Sequence, residues 1–274
     1  MTTSKTFGAV VMLGVMTLFY LIPVIVMCVG SLMPDSRVLT DSLTVSRWGE
    51  NLTLTNYRDV FERVQFGRFF LNSVVVTGGI TIVGLFVNSL AGYALARFTF
   101  RGRRLFLFFV LVMVIVPFEA IAVPLFYLVS AVGWRDSYGV LILPFVANAF
   151  LIFFFYSFFL DIPRELEEAA WMDGASTSRI YWSVILPLAK PVFATGAILS
   201  FLFNWGAYLW PLLVTTGPEF RPLPIAIATF YTLPPLQWGD ILAFGVLMTL
   251  PVIVAFVLFQ RWFVESVTTS GLKG

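Results

Sequence analysis

The sequence predicts an all-α, polytopic membrane protein with six transmembrane helices. Hydrophobic residues make up 59% of the 274-residue chain and charged residues 12%, and the mean hydropathy is +0.92. A soluble core of this size could not bury so much apolar surface. The apolar residues also gather into stretches long enough to cross a hydrocarbon layer of about 30 Å, which takes about 20 residues. Each crossing must be helical, because lipid offers unpaired backbone groups no partner.

The six stretches run Thr6–Pro34, Phe69–Ala96, Leu105–Ala131, Ser137–Leu160, Pro191–Thr216 and Ile241–Gln260. The first has a signal-peptide alternative, since Lys5 precedes it and Cys28 follows Ile25, Val26 and Met27. Its apolar run is too long for a signal core, Met27 is large for a cleavage site, and five more stretches follow. The third stretch contains the one charge within the six, Glu119, just after Pro117, which predicts a kink there. Between the second and third lie Arg97, Arg101, Arg103 and Arg104 with no acidic residue, so the positive-inside bias places this loop in the cytoplasm. Both termini and the loop Asp161–Lys190 then lie inside, while Asp35–Arg68 and Gly217–Asp240 lie outside. The outer segment carries Arg37, Arg47, Arg58, Arg63 and Arg68, offset by Asp35, Asp41, Glu50, Asp59 and Glu62. The apolar run Pro222–Trp238 suggests a seventh crossing, but Pro222, Pro224, Pro234 and Pro235 bracket too short a run. A packed external loop or partly inserted element is expected instead.

Several function classes drop out. The chain has no histidine, which removes the commonest general base and metal ligand, and its single cysteine excludes an internal disulfide. No convergent set of Ser, Cys, Asp or Glu suggests catalysis or a metal site, so the chain is expected not to be an enzyme. Lys5, Lys190 and Lys273 cannot complete a GxxxxGK[ST] phosphate loop, so nucleotide must be bound by another subunit. A net charge of +2 gives nucleic acid binding no support. One intramembrane carboxylate is also few for an ion-coupled carrier.

The inner loop DIPRELEEAAWMDGASTSRIYWSVILPLAKP is the most informative segment. Asp161 and Pro163 signal a helix start, strong helix formers continue through Ala170, and Gly174 ends the helix. Ser176 can cap a second short helix with Tyr181, Val184 and Ile185 on one face, ending at Pro187. The unit would protrude as a knob with Glu165, Glu168 and Met172 along one stripe. By composition alone, Glu165, Glu167, Glu168 and Asp173 could equally be solvating charges on an ordinary loop.

Glu168, Ala169, Ala170, Gly174, Leu186 and Pro187 stand at the spacings of the EAA loop of ABC importer permeases. The chain resembles the maltose-type carbohydrate permeases, in particular the shorter G-type partner of the permease pair. LTLTNYRDVF (Leu52–Phe61), NSLAGYALARFTFRGRRLF (Asn88–Phe106) and the tail Phe259–Gly274 carry the same likeness. The resemblance implies a type I ABC importer permease fold. It also implies partners: a homologous permease, two ATPase subunits that bind ATP and Mg, and an extracytoplasmic solute-binding protein. The loop would enter a groove on the ATPase, with Glu168 pairing to a basic group, Gly174 making the turn, and Met172 and Asp173 beside it. Residues 1–66 would form a first helix plus external segment, and 67–274 the permease core, with coupling loop 161–190 and tail 261–274. Three departures limit what carries over: Gly206 and Ala207 after Trp205, where relatives often have Asn and an acidic residue; Tyr156 and Ser157, where relatives commonly have Arg and Gln; and Ser266 and Ser270, where relatives tend to have Gly.

For a solute path the candidates are Glu119, Asn148, Ser200, Asn204, Trp205 and Tyr208. Ser200, Asn204 and Tyr208 recur every four residues on one helical face, with Trp205 beside them, and could meet a sugar with hydroxyl, amide and aromatic groups. The other reading is interhelical hydrogen bonding. Glu119 is either a solvated gate residue or a structural hydrogen-bonding group. The expected function is import of a sugar or sugar-like solute driven by ATP hydrolysed on a separate subunit; the alternative is a self-contained secondary carrier or channel.

Overall fold

The computed structural model describes residues 2–49 and 52–271, with side chains over 8–49 and 52–260. Glu50, Lys273 and the side chains of Lys5, Ser266 and Ser270 lie outside the described residues. Every regular element among the described residues is helical. Four helices are long and apolar enough to cross a membrane, and six crossings result when each of two bent helix pairs is one span.

Two compact units divide the chain: Met1–Gly67 with Ile225–Pro251, and Arg68–Pro224 with Val252–Gly274. The first contains α1 (Thr2–Gly30), α2 (Asp35–Asp41) and α3 (Thr55–Arg63). The large apolar side chains of α1 from Val10 to Ile22 are exposed, as a lipid-facing helix requires, and Thr17 among them donates to the Leu13 carbonyl. The segment 31–65 after α1 is thus largely helical, and several of its charges are paired within the first unit. Arg37 and Arg47 both grip the Asp41 carboxylate, at 2.6 and 2.8 Å. Arg63 pairs with the fully buried Asp240 and donates to Gln237 Oε1 and to the carbonyls of Leu233 and Pro235. The buried amide of Asn56 donates to the carbonyls of Ser31 and Met33, closing the end of α1.

The second unit holds α4 (Phe66–Arg97) from Arg68 onward, α5 (Arg103–Ile115), α6 (Phe118–Ala131), α7 (Tyr138–Val146) and α8 (Ala149–Asp161). It continues through α9 (Glu165–Met172), α10 (Thr177–Leu188), α11 (Lys190–Trp205) and α12 (Leu209–Val214). The middle of α10, Tyr181–Ile185, widens to π-helical geometry. Two helices belong partly to each unit: α13 (Leu223–Thr232) and α14 (Trp238–Gly271).

Three expected crossings are broken. The third turns through 103° between α5 and α6. Pro117 supplies no N–H and forces Val116 into extended backbone (φ −72°, ψ 116°), so the expected kink is a full corner. The fourth is interrupted at Ala147 and Asn148, both extended. The fifth, expected as one helix over Pro191–Thr216, stops at Trp205 and resumes at Leu209, while at its other end α10 and α11 meet at 77° around Ala189. Pro191 gives the Pro187 carbonyl no donor, which explains that bend. The run after Pro222 forms only the 10-residue α13, too short to cross.

Close approach sets where α4 meets α8. A Cβ on Gly92 would lie 2.8 Å from both Phe155 Cβ and Tyr156 N, so only glycine lets the backbones touch. Below this contact a core of Tyr93, Phe155, Phe159, Ile180, Tyr181 and Ile185 is buried to 3% exposure or less.

Candidate functional site

The three broken spans open onto one cavity of about 780 Å³. Its lining includes Val116 at the corner, Asn148 and Ala149 at the second break, and Gly206, Ala207 and Tyr208 at the third. Non-helical backbone at membrane depth is tolerated only where protein buries it or water reaches it. The three breaks meet that condition at the cavity, whose mostly apolar wall carries a few polar groups.

Five of the six candidate path residues line it: Glu119, Asn148, Ser200, Asn204 and Tyr208. Glu119 lies in the first turn of α6, where free backbone N–H groups favour a negative charge. Asn148 caps α8 by accepting from Leu151 N at 3.0 Å. Ser200 is shared with packing: its hydroxyl lies 3.2 Å from that of Thr81 on α4, and its carbonyl accepts from Asn204 Nδ2 at 2.7 Å. Tyr208 lies beyond the end of α11 yet still reaches the cavity, because the chain turns at Gly206. Trp205 is not in the lining; it is buried, stacked on Phe201 at 5.2 Å and edge-on to Phe70. No Lys or Arg is among the lining residues, which leaves Glu119 as their one formal charge.

Sequence reasoning missed Asn88. Its fully buried side chain repairs the break in the fourth span: Nδ2 donates to Val146 O at 2.9 Å and Oδ1 accepts from Asn148 N at 2.9 Å. An uncharged amide in an apolar helix was the available signal; the partner 60 residues away was not.

The loop between the fourth and fifth crossings folds as its local signals specify. Helix α9 starts two residues after Pro163, and Gly174 adopts φ +77°, a left-handed conformation that side chains disfavour. Ser176 Oγ accepts from Arg179 N to cap α10. Glu165, Glu168, Ala169, Met172, Asp173, Gly174 and Pro187 are exposed, and Met172 is 87% exposed. Leu166 and Trp171 add exposed apolar area on the same knob. Ala170 instead packs against the core under the loop, and Leu186 is half-buried.

Glu167 faces the other way from its neighbour Glu168. Its side chain is 3% exposed and pairs with Arg97, 4% exposed, at 2.6 Å. The solvating reading of the loop carboxylates therefore fails for Glu167, and Arg97 is more than a loop charge. Removing one partner would strand a buried charge at a cost of about 3–5 kcal/mol.

With every regular element among the described residues helical, up to six apolar crossings, a cavity at three backbone breaks and an exposed two-helix knob, the architecture is that of a multi-pass membrane protein. The sequence pattern of the family described as "Binding-protein-dependent transport system inner membrane component" matches residues 88–269. The chain belongs to that family. It is 34% identical to the arabinooligosaccharides transport system permease protein AraQ of Bacillus subtilis, over 94% of this chain and 92% of the relative. It is also 34% identical to the trehalose transport system permease protein SugB of Mycobacterium tuberculosis, over 93% of each. To the sn-glycerol-3-phosphate transport system permease protein UgpE of Yersinia pestis it is 32% identical, over 95% of each. Among solved structures, a bacterial ABC transporter involved in the import of the acidic polysaccharide alginate has a chain that superposes with a TM-score of 0.82. Sequence identity there is 25%, over 95% of this chain and 98% of that one. The protein is thus a multi-pass permease component of a binding-protein-dependent ABC importer with the type I permease fold, not a self-contained carrier.

Proposed function

We propose that the chain passes a neutral sugar or oligosaccharide through the cavity beside Glu119, Asn148, Ser200, Asn204 and Tyr208. The observation that carries this reading is the convergence of three broken spans on one cavity whose largely apolar wall presents Glu119, Asn148, Ser200, Asn204 and Tyr208. Hydroxyl, amide and aromatic groups suit a polyhydroxylated solute, and a lining with a carboxylate but no cation favours neutral over anionic sugars. Relatives named for arabinooligosaccharides and trehalose support the substrate class.

The chain itself binds no nucleotide or metal and catalyses no reaction; two partner ATPase subunits bind ATP and Mg. A homologous permease completes the path and an extracytoplasmic binding protein delivers the solute. Both termini lie in the cytoplasm, where the exposed face of α9 and α10 docks on the ATPase through Glu165, Glu168, Met172 and Asp173. Residues 67–274 act as the permease core, with 1–66 as an added helix and external segment, and the tail 261–274 reaches the ATPase. Closure of the ATPase pair displaces the docked knob and reorients the broken spans around the cavity, giving alternating access.

Reconstitution in proteoliposomes tests this. Uptake of labelled trehalose or arabinooligosaccharide should require ATP, the ATPase and the partner permease. Glu168→Lys and Gly174→Asp should abolish uptake with membrane insertion intact. Uptake by this chain alone, or normal uptake by both variants, would refute the assignment.

A further inference from the structure

We propose that Arg97 and Glu167 form a positioning pair that fixes the ATPase-facing knob to the inner end of α4, so that knob and span move as one body. The inference rests on the docking role of the knob, and concerns residues that the docking face does not use.

Successive residues on a helix point about 100° apart, so docking and anchoring are divided between adjacent glutamates. Glu168 is exposed, while Glu167 turns inward. Two further contacts hold the inward carboxylate and its partner in one geometry, and a third ties the same helix to the knob's second arm. Tyr93 Oη donates to Glu167 Oε2 at 3.2 Å, and Arg97 Nη2 donates to Ile162 O, just before α9, at 2.7 Å. Ser89 and Tyr181 hydroxyls meet at 2.8 Å, tying α4 to α10 as well. Ser89, Tyr93 and Arg97 recur every four residues on one face of α4, so a single stripe of that helix grips both arms of the knob.

The chemistry makes this connection all-or-none. Apolar contacts can slide, whereas a buried charge that leaves its partner has nowhere to go in the surrounding core. A displacement imposed on the knob is therefore passed to α4, and through Asn88 on the same helix to the broken fourth span at the cavity.

The test uses the assembled transporter with partner permease, ATPase and binding protein, in a Cys28→Ser background. Spin labels at Ser178→Cys on α10 and Phe100→Cys just past α4 report the separation of knob and span. With Arg97 and Glu167 intact, the separation should be the same in nucleotide-free and ATP-trapped states, and it should shift or broaden in Glu167→Gln. In unlabelled protein, Glu167→Gln and Arg97→Gln should keep co-purifying the ATPase but raise ATP hydrolysed per solute about fivefold or more, the lower range of inter-site coupling. A separation that changes between states in the native pair overturns the proposal, a result that does not depend on how the variants fold. Unchanged ATP use per solute in both variants also overturns it, as does loss of ATPase binding in Glu167→Gln, which would put Glu167 in the docking face. Failure of the native chain to bind the ATPase would instead sink the docking role itself.

Discussion

Asn88→Ala isolates the repair of the broken fourth span. The substitution removes a donor from the Val146 carbonyl and an acceptor from the Asn148 N–H, both otherwise at 2.9 Å. The two losses are unequal. Val146 is 8% exposed, so an orphaned carbonyl there costs about 1–3 kcal/mol. Asn148 borders the cavity, where water can replace the amide, so its loss falls near the ~0.6 kcal/mol average for hydrogen bonds between membrane helices. Together the change should destabilise the chain by about 2–4 kcal/mol. Denaturant titration of the purified permease in mixed micelles, followed by tryptophan fluorescence, measures it. Asn88→Asp should be at least as damaging, because it keeps the acceptor but loses the donor and buries a carboxylate. If Asn88→Ala unfolds within about 0.5 kcal/mol of the native chain, the size of an ordinary surface substitution, the repair is not holding the break.

Gly92→Ala should destabilise by about 1–3 kcal/mol through the clash with Phe155 and Tyr156, outweighing the helix-propensity gain of about 0.5–1 kcal/mol; the same titration decides, and a stabilised variant would refute the close contact. Hydrogen bonding from Arg37, aided by Arg47 against the cost of burial, holds the Asp41 carboxyl below its ordinary value of 3.8. Its contribution is therefore present above that value and lost as pH falls through the lower folded-state value, so acid unfolding of Asp41→Asn should lose part of the native pH slope below about pH 4.

Much of the site was legible where the signals are local. The turn at Gly174, the Ser176 cap and a bend at Pro117 each follow from a few neighbouring residues; the 103° size of that bend does not. Spacing along one helix also placed Ser200 and Asn204 on the cavity. It did not separate them from Trp205, because which neighbouring face meets the cavity depends on Phe70, more than 130 residues earlier. Nor did periodicity show that the chain leaves the helix at Gly206 and still returns Tyr208 to the same cavity.

The sequence by itself determined that the chain lives in a bilayer, roughly where it crosses, and that two short helices meeting at Gly174 stand between the fourth and fifth crossings. These are sums over residues within a turn or a span, and hydrophobic transfer and helix capping are additive at that range. Only the tertiary structure decided that the fourth span breaks, that Asn88 closes the break, and that Glu167 is a buried partner of Arg97 rather than one more solvated charge. Those outcomes turn on pairings between groups 60 and 70 residues apart. A buried polar group is stable only with its partner in place, and which partner arrives is set by how the helices pack.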